Sequence, residues 1–338
     1  MAVKLDLGPY ASVPDFIYGI TREIWEDRGI GGKLDQYYAP DILLRAATGF
    51  TGSNAGGSAS NASVAAQTLQ TLHQFPDRQL VGEDVIWTAY DDGTFLSSHR
   101  LTSVMTHTGD GILGRATGKR VRSRIIADCW VRNQVVVEEW LVRDQAAFAK
   151  CLGLESRALA RDMVDREIRS GVPISYFVPA HDKPGSFVST VQDDETIAHV
   201  LKGLTRLWQA KETAAIRDLY FHGAAFHAPG GDVLYGHSDI DTFALGYLAS
   251  FPDAIYKVES ARINREPEQP VRIALRWSLT GTHSGFGHFG EPTGAPVYVM
   301  GISHLNLTAG RITAEYMVTD EVSIWKQIYA HTESRAGA

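Results

Sequence analysis

Phe75-Pro76-Asp77, Thr106-His107-Thr108-Gly109, Thr117-Gly118 and Asp144 return 176 residues later as Phe251-Pro252-Asp253, Thr282-His283-Ser284-Gly285, Thr293-Gly294 and Asp320. Aligned without a gap, residues 75–144 and 251–320 share 17 of 70 positions, against about 4 expected by chance from ordinary composition. An ungapped match of that length is a duplication, so whatever one copy is, the chain holds two. Upstream, Trp25 matches Trp208 and Tyr37 matches Tyr220 at an offset of 183, which gives the first copy seven extra residues before Phe75. They are expected in the Gly/Ser-rich stretch Thr48–Ser63, as a mobile surface loop whose sharper functional reading is a lid. The copies fall at about 12–153 and 190–332, and residues 154–189 read as a connection, helical over Glu155–Arg169 and then rich in Pro and Gly.

Composition narrows the function classes. The chain has 338 residues, 44% of them hydrophobic and 21% charged, which is a globular composition with room for two cores. A net charge of -7 argues against nucleic acid, whose phosphates need clustered Lys and Arg. No run of about 18 apolar residues predicts a membrane span, and Met1–Tyr10 lacks a leader's apolar core, so a cytoplasmic protein is expected. Two cysteines, Cys129 and Cys151, make no disulfide framework and no structural zinc site.

Each copy is ordered helices first, strands after. Phe16, Ile20 and Ile24 are spaced for one helix face, as are Ile197, Val200, Leu201 and Leu204. Residues 64–73 and 239–249 are further helices, each stopped by the Pro of Phe-Pro-Asp. Strands are predicted at about 79–90, 94–108, 119–131 and 134–143, with counterparts 176 later. The fold class is α+β, twice. Gly109–Gly114 and Gly285–Gly290 both fit G-x-G-x-x-G, but strand-like sequence follows them where a dinucleotide site needs a helix, so they read as hairpin loops. No cofactor is implied, and the scattered histidines give no metal-ligand spacing.

The order Phe-Pro-Asp, Gly281-Thr282-His283-Ser284-Gly285, Glu291-Pro292-Thr293-Gly294, Ala309-Gly310-Arg311-Ile312 and a last strand closing on Asp320 resembles the SnoaL-like polyketide cyclase family of the nuclear transport factor 2-like superfamily. The first copy carries it more loosely, as Met105–Gly109 and Arg115–Gly118. The resemblance implies tandem cone-shaped domains, each a curved sheet wrapped on helices around a pocket. It implies that they pack as an intramolecular pseudo-dimer through the outer sheet face, with a further homodimer possible. Asp128 and His304, at equivalent positions, would then form a buried ion pair.

The family's catalytic acid is an Asp three residues before the closing Asp, where this chain has Leu141 and Met317. Neither moves a proton. Glu139 and Glu315 lie two residues earlier on the same strand face, and a carboxyl buried in a pocket gains the raised pKa of a general acid or base; the alternative is a carboxylate neutralised by a neighbour to rigidify the cone. The family's polar floor position maps to His227 in Ala225-Phe226-His227-Ala228-Pro229 and to Arg45 in Leu43-Leu44-Arg45-Ala46, which makes Arg45 the expected partner of Glu139 and His227 that of Glu315. The catalytic candidates are therefore Glu315, His227 and Glu139. The substrate-binding candidates are Arg45, His107, His283, Met317, Leu141 and Ser303. Arg100 and Arg276 also recur and read as sheet-face arginines paired with acids. The second copy is expected to be the working one, with Glu315→Gln the damaging change. The function that follows is cofactor-independent proton transfer on a small or medium apolar carbonyl or hydroxyl compound, as in a cyclase, dehydratase, isomerase or aldol-type lyase. The alternative is a non-catalytic protein that binds a small hydrophobic ligand.

Overall fold

The computed structural model describes residues 5–48 and 60–336. Most of the Gly/Ser insertion expected as a loop or lid, residues 49–59, lies outside them. The chain divides into two compact units, Met1–Glu155 with Ser175–Val188, and Ser156–Ile174 with Ser189–Ala338. The stretch 154–189 is thus shared out: its helix, with Gly171 and Pro173, belongs to the second unit, and Ser175–Val188 belongs to the first.

In the first unit helix α1 (Val13–Thr21) is capped by Ser12 and runs into a π-turn over Arg22–Glu26. Helix α2 (Gly32–Tyr37) leads directly into strand β1 (Tyr38–Ala46), and α3 (Asn61–Gln74) follows. Strands β2 (Gln79–Ala89), β3 (Phe95–Thr106), β4 (Arg120–Arg132) and β5 (Val135–Arg143) form an antiparallel run, closed by α4 (Gln145–Leu152). The sheet order is β1-β5-β4-β3-β2, with β1 parallel to β5. Phe16, Ile20 and Ile24, the predicted helix stripe, are buried in one core with Val85, Phe95, Leu101, Ala127, Cys129 and Leu141, which identifies the inner sheet face. Residues one step out of phase, such as Asp128, Trp130, Glu138 and Trp140, lie on the outer face.

The second unit begins with α5 (Ser156–Arg169), which packs on the last helix. Helix α6 (Glu195–Leu204) again runs into a π-turn, over Thr205–Gln209, and α7 (Ile216–Leu219) leads into β6 (Tyr220–His227). A short β7 (Val233–Tyr235), α8 (Gly236–Ser250), β8 (Ile255–Asn264), β9 (Val271–Thr282), β10 (Pro296–Thr308), β11 (Arg311–Thr319) and α9 (Glu321–Ala336) complete it. The sheet order β7-β6-β11-β10-β9-β8 repeats the first with one strand added at the edge. The α+β class and the duplication are borne out, and the helices and long strands fall within a few residues of their predicted spans. Strands β1 and β6 lie outside the predicted strand spans, and Arg45 and His227, expected as floor positions after the helices, lie within them, parallel to the last strand of each unit.

The repeated motifs have structural reasons. Asp77 and Asp253 accept the backbone N–H of Thr106 and Thr282 at 2.7 Å, tying the turn after α3 and α8 to the end of the neighbouring strand. Asp144 and Asp320 cap α4 and α9, accepting from Ala147 and Ser323. The glycines permit close approach: a Cβ on Gly109 would lie 2.0 Å from the His73 carbonyl oxygen, and one on Gly285 2.1 Å from that of Ala249. Gly285→Ala therefore forces backbone apart, and urea denaturation should show a loss of about 2 kcal/mol or more. Among the described residues no helix is long and apolar enough to cross a membrane.

Candidate active site

Register fixes what each inner face presents. Across the first sheet one row reads Leu44, Glu139, Cys129, Ser97 and Trp87, and the next reads Ala46, Leu141, Ala127, His99 and Val85. The corresponding rows of the second are Phe226, Glu315, Leu305, Ile273 and Ile263, then Met317, Ser303, Leu275 and Ala261. Glu139 with Leu141 and Glu315 with Met317 therefore point inward, as their strand period requires.

Each carboxyl has a tyrosine beside it at the start of the strand parallel to its own. Tyr38 is close enough to Glu139 to lower its pKa, and the Tyr220 hydroxyl donates to Glu315 in a short bond. The two tyrosines are structural equivalents, because Tyr38 stands opposite Val136 and Tyr220 opposite Ile312, its counterpart 176 residues on. The sequence match of Tyr37 to Tyr220 was one residue off. Two adjacent tyrosines cannot be told apart by composition, and only the pairing register selects Tyr38.

Burial raises both carboxyls to about 7. Arg143 and Tyr38 draw Glu139 down, and Tyr220 and Ser303 draw Glu315 down. The same burial lifts the Tyr38 and Tyr220 phenols and the Cys129 thiol well above their usual ranges, so these three stay protonated. In the second unit the Trp277 indole N–H donates to Ser303 at 3.1 Å, and Ser303 lies close enough to Glu315 to lower its pKa. In the first unit Leu101 and Ala127 replace Trp277 and Ser303.

The expected ionic partners are corrected by the same register. Arg45 lies on the outer face, where it pairs with Glu138 at 2.9 Å and with Asp182 at 2.7 Å and stacks over Trp140. Segment 175–188 holds it there: Lys183 offers a carbonyl, Ser186 and Phe187 donate backbone N–H to Glu138, and the Phe187 ring packs against Trp130 and Trp140. His227 likewise stacks on Tyr316 with ring centroids 4.2 Å apart, one residue out of phase with Glu315. Neither basic group faces its carboxyl, because each sits one step too far along a strand that the sequence did not reveal. His107 and His283 bond Thr117 and Thr293 at 3.1 Å and pin the hairpin loops. Arg100 pairs with Glu83, and Arg276 bonds Ser189. Of the named site residues, Glu139 with Leu141, and Glu315 with Met317 and Ser303, share an inner face. Among the described residues no three His, Cys, Asp or Glu side chains gather as metal ligands.

Residues 198–328 match the family model described as SnoaL-like polyketide cyclase. The second unit is a SnoaL-like domain. Solved structures similar to the chain include IdmH from Streptomyces antibioticus, described as a candidate polyketide cyclase, at 21% identity over 40% of this chain and 98% of that one, with a TM-score of 0.35. A SnoaL-like candidate cyclase from Jannaschia sp. CCS1 covers 43% of this chain and 96% of its own at 18% identity and a TM-score of 0.33. AclR, a candidate hydroxylase from Streptomyces galilaeus, covers 40% and 85% at 22% and 0.35. No curated protein matches the chain. The first unit repeats the strand order and register of the SnoaL-like domain, apart from the added edge strand.

Two outcomes test this arrangement. Arg45→Met leaves Glu138 buried without its cation and should cost about 3 kcal/mol in urea denaturation. The same change in a Glu138→Gln background should cost much less. For Glu315 the folded pKa of about 7 lies above the ordinary value of 4.5, so its stabilising contribution is complete at low pH and is lost as pH rises toward 7. Glu315→Gln, neutral throughout, should gain on the parent by about 3 kcal/mol between pH 4.5 and 7 and no more above pH 8. A stability difference that does not change with pH would show an ordinary carboxylate.

Proposed function

We propose that the chain is a cofactor-independent general acid–base enzyme acting on a small or medium apolar carbonyl or hydroxyl compound, in the range of cyclisation, dehydration, isomerisation or aldol-type cleavage. The observation that carries this reading is the carboxyl buried beside a tyrosine on an inner sheet face, with a pKa raised to about 7. A carboxyl poised there is half ionised near neutral pH. The ionised form takes the proton from a carbon next to a carbonyl, the C–H electron pair moves to the carbonyl oxygen as an enolate, and the protonated form returns the proton to the product. The apolar walls keep water from competing, and the phenol, itself held protonated, orients the carboxyl and stabilises its anion.

The family match over the second unit supports an enzyme of the cyclase kind. The reading as a non-catalytic binder draws on Leu141 and Met317 standing where the family's catalytic acid would be. Exchange of the α-protons of 1-tetralone in D2O, followed by proton NMR, separates the two. The parent chain should accelerate exchange, and the double variant Glu139→Gln/Glu315→Gln should lose about 10² to 10⁴ of that rate. A double variant that keeps the full rate would remove the carboxyls from the chemistry, and a parent without catalysis would favour the binder.

A further inference from the structure

The two inner faces are not equally finished. Ser97 Oγ and His99 Nδ1 of β3 point inward, are at least nine-tenths buried, and have no hydrogen-bond partner. Their equivalents in the second unit are Ile273 and Leu275, which need none. Burying a hydroxyl and an imidazole nitrogen unpaired costs free energy that the apolar pair avoids, so a fold that had only to pack would carry the second arrangement.

Ring packing differs as well. In the second unit Phe226 and Phe243 meet with ring centroids 4.9 Å apart, and Trp277 lies over Gly301. The equivalent positions of the first hold Leu44, Gln67, Leu101 and Ile125.

We propose that the first unit holds the substrate, with Ser97 and His99 binding its oxygen atoms beside the Tyr38–Glu139 couple, and that the second unit is a filled copy. The assignment rests on the acid–base reading and reverses the expectation that the second copy works. Ser97 stands two strands from Glu139, roughly 10 Å at the ordinary strand spacing. That separation lets one small or medium apolar molecule present a hydroxyl or carbonyl group toward each end. His99 is neutral at working pH, because burial lowers its pKa to about 4 even though the Asp128 charge opposes this. A neutral imidazole accepts from a hydroxyl or donates to a carbonyl according to its tautomer, and carries no charge to repel an apolar ring.

The probe is 1,8-dihydroxyanthraquinone, titrated into the full chain by fluorescence, with the ¹⁵N resonances of the histidine rings observed in parallel. Ser97→Ile and His99→Leu copy the second unit's residues, and each should raise Kd at least tenfold. The control Ile273→Ser should stay within twofold, and the His99 ring resonances should shift on binding. No binding by the parent, unchanged Kd in both variants, or an unmoved His99 ring would overturn the assignment. A chain that binds through Ser97 and His99 but exchanges no α-protons would keep this site and remove the acid–base reading. One that exchanges protons with both variants indifferent would do the reverse.

Discussion

A glutamate buried on the inner face of a sheet is costly unless something offsets it; in both units a tyrosine from the neighbouring parallel strand stands beside it, and in the second it donates a hydrogen bond. That interaction depends on β1 and β6 turning back along the last strand, so that Tyr38 and Tyr220 reach across one strand spacing. It also sets the chemistry: burial raises the carboxyl toward neutrality, and the phenol keeps it from rising further. Without the parallel strand each glutamate would lose its tyrosine, and only Arg143 in the first unit and Ser303 in the second would still oppose the effect of burial.

Much of the fold was legible because it was written twice. The Phe-Pro-Asp turns, the capping aspartates and the loop glycines recur at one offset, and each marks a boundary that the structure explains by a hydrogen bond or a close approach. Glu139 and Glu315 were legible for the same reason, since period 2 places a strand residue on a face regardless of context. The partners were not. Arg45 and His227 were assigned by nearness to a family pattern, whereas a shift of one residue on a strand sends a side chain to the opposite face. Tyr38 was hidden beside Tyr37, and Ser97 and His99 carried no signal because their counterparts are plain hydrophobes. Unpaired polar groups become visible only when a structure shows what surrounds them.

The duplicated halves have diverged in opposite senses. In the second the inner face carries Phe226, Phe243 and Trp277, with Tyr220 bonding Glu315 and Trp277 bonding Ser303. In the first, Ser97 and His99 replace Ile273 and Leu275, and Ser97 Oγ and His99 Nδ1 are left unpaired. The outer face of the first sheet is covered by segment 175–188, where Arg45, Glu138 and Asp182 satisfy one another. Read from sequence, that segment was only a connection.

The central claim is that a buried glutamate of the first unit titrates near neutral pH. It is tested most directly by carbon-13 NMR of the chain labelled at glutamate side-chain carboxyls, with the Glu139 resonance assigned through its absence in Glu139→Gln. The account predicts a midpoint close to 7 for that resonance. A midpoint near 4.5, the ordinary value of an exposed glutamate, would contradict it.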